Sequence, residues 1–443
     1  LFELGKRTAG KEGMDYLRSS KEAIMEALEI YAGRQPSQWS LAKNSLGNTL
    51  RVLGERTKGE AGIEILKDSR QAYKDALTVL SEKSFSWARA NSSLGLALQI
   101  LGDKTKGDTA YLTESKDALE KALTVFTREA YQQQWALTAN ILGGTLGLLG
   151  ERTKGSKGLD LLKASADIFN KVLEIHKETP FSQDWANAQN NLGLTFQKIG
   201  QRTEGTERIG YLEKSKDYLR KALTVFSKKD FAYQYGIINN DLGFTLQLLS
   251  DSVEGENSRD YLIESAKAYL EASTKFSDNS PLLKAFDIYH NKLFLFEKSL
   301  SISEGWLNKN KDDIEVAVRF AENLLTTDQR TECDKKSDSL ITKDNISTEN
   351  IIVLKTIQIV CLLEIRQSEK VTPKLDSIMD QISPQSPNFK VSWNFDGTKY
   401  FINQNKELTL YRTWLLKLIN SISNNDRDTI LQGLKTLRKD FKN

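Results

Sequence analysis

The chain has 443 residues, and its 62 basic and 59 acidic side chains leave a formal charge of only +3, whereas a nucleic-acid-binding protein would carry a clearer basic excess. Hydrophobic residues make up 39% and charged residues 27%, which suits a protein rich in water-exposed helix, and no apolar run is long enough to span a membrane. Two cysteines, Cys333 and Cys361, build no disulfide framework and fit a reducing, cytoplasmic compartment.

The chain opens on LFELGKRTAG, which matches Arg51 to Gly59 and so reads as the end of one repeat helix with its loop. It starts in mid-repeat, without Met, and this leads us to expect a longer parent protein. A Leu-Gly pair then recurs at Leu46-Gly47, Leu94-Gly95, Leu142-Gly143, Leu192-Gly193 and Leu242-Gly243, in steps of 48, 48, 50 and 50 residues. An aromatic residue (Trp39, Trp87, Trp135, Trp185, Tyr235) lies seven positions before each pair. A second Gly follows at Gly54, Gly102, Gly150 and Gly200, with Ser250 in the last copy. Self-similarity at such a period signals a solenoid or array.

Each unit reads as two helices. Trp87, Ala90, Leu94, Ala97, Leu98 and Leu101 fall on one helical face. Ser86 is expected to cap that helix and Gly102 to end it in a left-handed conformation. A polar loop, Asp103 to Thr109, leads to a second helix from Tyr111 to Phe126. The same pair is legible at 39–80, 135–175, 185–226 and 235–276, after a half-unit at 1–31. Gly47, Gly95, Gly143, Gly193 and Gly243 lie inside the first helix, where Gly costs roughly 1 kcal/mol against Ala. Their recurrence predicts close approach of the partner helix. One helix pair cannot bury its apolar face, so neighbours must stack and share a core.

This pattern resembles the tetratricopeptide repeat. The Leu-Gly pair is followed three positions on from the Gly by Leu50, Leu98, Leu146, Phe196 and Leu246. The second helices carry Ser69-Tyr73-Ala76, Ser115-Leu119-Ala122, Ser165-Phe169-Val172, Ser215-Leu219-Ala222 and Ser265-Tyr269-Ala272. The family unit has 34 residues, and these are longer, similar to the extended units of kinesin-light-chain relatives and bacterial multidomain proteins. The resemblance implies an all-α, right-handed solenoid of stacked helix-turn-helix units over 1–277, used as an interaction scaffold.

After Phe276 the period fades. We expect capping helices over 278–326 (an apolar helix at 282–300 and another from Ile314 to Leu325), a polar linker at 327–349, and a mostly helical module at 350–443. In that module, 350–367 is strongly apolar and helical, although its β-branched residues also allow a strand. Lys390 to Ile402 alternates around Asp396-Gly397, a β-hairpin signal. Helices at 407–422 and 427–441 close the chain.

Few residues carry a chemical motif. Gly54 to Gly59 and its equivalents have the spacing of half a phosphate loop, but Glu60-Ala61, Asp108-Thr109, Ser156-Lys157 and Thr206-Glu207 follow where Lys and Ser/Thr should stand. Arg7, Arg56, Lys104, Arg152 and Arg202, with Lys58, Lys106 and Lys154, form a basic edge if units stack. It would serve an acidic partner or nucleic acid, or else be solvated and paired with Glu55, Asp103 and Glu151. His176 and His290 have no ligand-spaced neighbours, and Cys361 reads as a buried thiol. Nothing indicates a catalytic residue, a metal site, a cofactor or a small-molecule substrate.

The sharpest signal is a polar stripe on the first helices. Asn44, Ser92, Asn140, Asn190 and Asn240 stand two residues before each Leu; Arg51, Gln99, Gly147, Gln197 and Gln247 lie seven further on. The resemblance implies that these positions line a groove for an extended or helical partner segment. Asn can pair with a peptide backbone without reading side chains, while Arg51, Arg89, Asn187 and Lys198 would select. The competing reading is that the stripe bonds neighbouring helices. We expect a non-enzymatic scaffold binding a protein or peptide, with nucleic acid disfavoured and no membrane as partner. The alternatives are the regulatory arm of an enzyme whose catalytic domain lies upstream, and a nucleic-acid-binding array using the basic edge.

Overall fold

The computed structural model describes residues 1–107, 109–175, 182–274, 279–423 and 425–441. The expectations placed on Asp108, His176 and Phe276 lie outside them. The described residues form an all-α array of about 21 helices packed in consecutive pairs, and they divide into two compact units, Leu1–Ser252 and Val253–Asn443.

The first unit begins with α1 (Phe2–Arg7) and α2 (Gly10–Tyr31). Four full pairs follow: α3 (Pro36–Arg56) with α4 (Gly59–Leu77), α5 (Phe85–Lys104) with α6 (Ala110–Leu123), α7 (Gln132–Arg152) with α8 (Gly155–Ile175), and α9 (Gln183–Gly200) with α10 (Gly205–Leu223). It ends with α11 (Ala232–Ser250). Each second helix also packs on the first helix of the next pair, and α3, α5, α7, α9 and α11 touch in series as one layer.

The glycine of the Leu-Gly pair sets how close a pair sits. A Cβ on Gly95 would lie 2.5 Å from Leu119 Cγ, and one on Gly47 2.7 Å from the Tyr73 ring. Gly143 and Gly193 meet Phe169 and Leu219 in the same way. The approach lets a buried serine reach the exposed face of that glycine's peptide: Ser69 Oγ donates to Gly47 O at 2.8 Å, Ser115 to Gly95 at 2.7 Å and Ser165 to Gly143 at 2.7 Å. The serine hydroxyl also bonds a threonine of the next pair, Ser115 to Thr145 at 3.1 Å and Ser215 to Thr245 at 3.1 Å.

Two local expectations are corrected. Gly102 does not end its helix: α5 continues to Lys104, and Gly102 is buried with its missing Cβ 2.7 Å from a Leu112 methyl. The left-handed residue is the next glycine, as at Gly59 (φ 68°), where a Cβ would meet open space and only the backbone angle demands Gly. The cap of α5 is Ser84, which accepts from Trp87 N at 3.1 Å, rather than Ser86. Trp87 and Trp135 pack with Ala88, Ala122 and Phe126 as core residues.

The second unit contains α12 (Gly255–Ser273), α13 (Ser280–Asp287), a π-helical turn (Ile288–Lys292), α14 (Phe296–Leu307), α15 (Ile314–Thr326), α16 (Arg330–Ile341), α17 (Thr348–Glu364), α18 (Val371–Ile382), α19 (Asp396–Gln404), α20 (Arg412–Ile422) and α21 (Arg427–Asp440). α17 is the centre of its core: every residue from Ile352 to Glu364 is buried, so its apolar run is continuous rather than striped. The helix expected over 282–300 is broken at Phe294, whose φ of 55° cannot continue it. The polar stretch 327–349 is not a linker but holds α16, which buries Cys333, Ser337 and Leu340 and is tied to α17 by hydrogen bonds from Gln358 Nε2 to Asp334 and Asp338. No β-hairpin forms at 390–402, and the described residues contain no strand. Val391, Trp393 and Phe395 do alternate inward along extended chain. Asp396-Gly397 starts α19 instead of turning the chain, and Gly397 packs so closely on His290 that a Cβ there would lie 2.3 Å from its ring.

Gly95→Ala should lower stability by a net ~1–2 kcal/mol, since overpacking outweighs the gain in helix propensity. Denaturant midpoints would show it, and Leu119→Ala in the same chain should abolish the glycine's penalty. A stabilised Gly95→Ala would contradict the close-approach account.

Candidate functional site

The polar stripe runs along the layer of first helices, and the structure commits much of it to joints between units. Ser92 Oγ lies 2.9 Å from Thr138 Oγ1. Asn191 Nδ2 donates to Asn140 Oδ1 at 3.3 Å. Gln99 Nε2 donates to Ile141 O at 3.1 Å, and Gln197 Nε2 to Asp241 O at 3.1 Å and Thr245 Oγ1 at 2.7 Å. The Gln99 amide takes the space beside Gly144, where a Cβ would lie 2.6 Å from its Nε2. Arg51 pairs with Glu55 at 3.4 Å and Lys198 pairs with Glu151. Asn240 and Gln247 are also engaged. In contrast, Asn44 Oδ1 and Asn190 Oδ1 are buried without a hydrogen-bond partner among the described residues, while Arg89 and Asn187 are exposed at one shared repeat position.

That position, five residues before the Leu, is otherwise filled by Leu41, Leu137 and Ile237. Leu137 is 61% exposed and Leu41 45%. Phe244, at the position two after the Leu, is 37% exposed, and Leu96 and Leu194 stand half-buried at the same position. The layer therefore presents an apolar column that the reading of the stripe missed. Its signal was legible as a hydrophobic residue outside the core phase of the helix.

The basic edge has a structural use that sequence reasoning also missed. Arg56 donates from Nη1 to Gly5 O at 2.8 Å and from Nη2 to Lys6 O at 2.6 Å. Arg152 donates to Gly102 O at 2.7 Å, Arg202 to Thr153 O at 2.9 Å, and Lys104 to Thr57 O at 3.3 Å. Each cation reaches one unit back to the free carbonyls that end a first helix, where positive charge also meets the negative end of the helix dipole. Arg7, Lys58, Lys106 and Lys154 are exposed.

The second unit holds a polar cluster in its core. Glu322 on α15 is fully buried and accepts from Thr398 Oγ1 at 2.5 Å and Trp393 Nε1 at 3.1 Å. His290 Nε2 lies 3.6 Å from the same carboxylate, and His290 Nδ1 donates to Asn323 Oδ1 at 2.8 Å. Burial alone would raise the Glu322 pKa, but its electrostatic attraction to nearby His290 and Arg319 and the Thr398 hydrogen bond outweigh it and hold the carboxyl below its ordinary value. Thirty-two positions separate His290 from Glu322, which is why no ligand spacing betrayed the pair. Cys333 and Cys361, also unrelated in sequence, bring their sulfurs to 3.5 Å, and their mutual bond together with burial pushes the Cys361 thiol up. Among the described residues no group of three or more His, Cys, Asp or Glu could hold a metal, and no helix is long and apolar enough to cross a membrane.

No family model and no curated protein matches the chain. Among solved structures it is similar to the S. pombe nuclear import adaptor Nro1, at 15% identity, with a TM-score of 0.38, over 64% of this chain and 95% of that one. It is also similar to a circular tandem repeat protein with novel repeat topology, at 13% identity and a TM-score of 0.30, over 98% of this chain and 93% of that one. Both likenesses are distant, and the architecture rests on the chain's own repeat.

Arg152→Ala should cost ~1–2 kcal/mol by freeing helix-end carbonyls, whereas Lys154→Ala should leave the denaturant midpoint unchanged. Because the Glu322 pKa is depressed in the folded state, its contribution is present above the unfolded value of about 4.3 and is lost as pH falls through the folded value. Amide exchange across α15 and α19 should therefore quicken as pH drops below about 4.3, once corrected for intrinsic rates. Glu322→Gln should exchange faster at neutral pH and show less of that dependence.

Proposed function

We propose that the chain is a non-catalytic scaffold whose first-helix layer docks a segment of a partner protein. The observation that supports this most is the apolar column on that layer, above all Leu137, 61% exposed. Exposed apolar residues gathered on one face and flanked by polar groups are a mark of interaction sites. The recurrence of the column once per unit suits a segment lying along several units. Arg89 and Asn187 interrupt it with polar groups and would select among segments.

The Asn/Gln stripe then has two roles. Asn140, Ser92, Gln99 and Gln197 hold the units in register through the bonds described above, which presents the column on a rigid layer and lowers the entropy lost on binding. Asn44 and Asn190 keep an acceptor without a partner, and a buried acceptor in that condition costs free energy until something donates to it. A peptide N–H meeting it after a small side-chain rotation would supply the donor, as the resemblance to the tetratricopeptide family implies. The nucleic-acid reading of the loop edge is weakened, since Arg56, Lys104, Arg152 and Arg202 are committed to carbonyls of the preceding unit.

The test is affinity capture with mass spectrometry on three chains of matched helicity. Leu137→Glu with Phe244→Glu should lose the wild-type partner by at least about tenfold, because a charge would be desolvated at the contact. Asn140→Ala with Asn190→Ala and Asn240→Ala should weaken it less and also lower stability. Retention of the partner by both variants would remove the first-helix layer as the docking surface.

A further inference from the structure

The second unit contains a cavity of 660 Å³ for which the scaffold reading has no use. It lies between α12 and the segment that joins the π-helical turn to α14, with the end of α15 on one side. Its wall is apolar, with Ile263 and Leu270 from one side and Phe294 and Phe296 from the other. Cavities of about 300–1,000 Å³ with such walls and a few polar groups are the common form of small-molecule sites.

Three further observations converge on it. Tyr289 lines the cavity and is only 3% exposed, yet its hydroxyl makes no hydrogen bond to any described residue. Burial pushes its pKa up, so the phenol keeps its proton at neutral pH and can donate to a group bound in the cavity. Lys267 and Lys298 also line the cavity, and neither has an ion-pair partner among the described residues; Glu297 is the one carboxylate among the described lining residues, which therefore carry a net positive charge. Phe294 holds a left-handed φ of 55°, a strained conformation for a bulky aromatic, with its ring stacked on Tyr400 at 4.0 Å and 6°. The adjoining π-helical turn, which carries Tyr289, is another form of local irregularity frequent at functional sites.

We propose that this cavity binds a small amphipathic monoanion, an apolar-bodied carboxylic acid. Its hydrocarbon lies against Ile263, Leu270 and Phe296. Its carboxylate is held by the Lys267 and Lys298 ammonium groups and by the Tyr289 hydroxyl. A polyanion fits less well, since Glu297 and the aromatic wall would oppose further charge. An alcohol of equal chain length keeps the hydrocarbon contact and loses the ion pair, and a cationic amine meets two like charges.

The probes are decanoate, decanol and decylammonium, titrated calorimetrically into the full chain below their aggregation limits. Decanoate should bind at one site per chain, at least about tenfold tighter than decanol, the usual value of a charge-assisted bond. Decylammonium should not bind. Lys267→Gln with Lys298→Gln should bring decanoate down to the decanol affinity and leave decanol unchanged; both lysines sit at the surface, so far-UV circular dichroism should match wild type. Tyr289→Phe should weaken decanoate by about fivefold. Absence of decanoate binding would overturn the proposal, as would equal affinity for decanol and decanoate, or decanoate binding that survives loss of both lysines.

Discussion

The contact on which the first unit depends is the one between a glycine in each first helix and the second helix packed on it. Removing one Cβ lets Tyr73, Leu119, Phe169 or Leu219 lie against bare backbone. It also brings a serine hydroxyl within reach of the glycine's carbonyl, already used in the helix but holding a second lone pair. The hydroxyl then bonds the threonine of the next unit. A steric permission within one pair thereby becomes a directional bond between pairs, so spacing and register follow from the same residue. Leucine packing alone would fix neither, because apolar contact is non-directional.

The other joints repeat that logic at the helix ends. A first helix leaves carbonyls free at its C-terminus, and the Arg or Lys of the following unit reaches back to them. A charged group at the surface contributes little when it faces another exposed charge, but here it meets several fixed dipoles at once. The amides of Gln99 and Gln197 satisfy carbonyls in the neighbouring first helix. With these polar groups used for assembly, the layer still leaves Leu41, Leu137 and Phe244 exposed to solvent.

The second unit is held by different means. Its core is one continuous apolar cluster around α17, with the ionised Glu322 carboxylate set into the neighbouring α15. Trp393 and Thr398 donate to that carboxylate, and His290 supports its charge. A buried carboxylate is costly unless its oxygens are satisfied, so the extended segment carrying Trp393 and the start of α19 are fixed in place by the need to satisfy them. The break in the chain at Phe294 belongs to the same region and opens the cavity beside it.

Much of the first unit was legible in the sequence. The 48–50 residue period, the helix pairs and the glycine close approach follow from a recurring pattern, and a residue kept at every copy despite its cost in a helix must answer a constraint shared by every copy. Where a residue occurred once, the sequence misled. Asp396-Gly397 carries turn chemistry that either a hairpin or a helix start can use, and in the structure it starts α19 with Gly397 packed against His290. α16 was hidden because its buried face has only Cys333, Ser337 and Leu340, and its polar residues bond to α17 rather than to water. The roles of Arg56, Arg152 and Arg202 could not be read from their neighbours, since their acceptors lie a full unit away. The sequence by itself determined the repeat, its helices and its internal spacing, because those depend on local periodicity. Only the tertiary structure decided which polar groups are consumed in assembly and which apolar ones remain outside, because that depends on what each side chain meets across a distance the period does not encode.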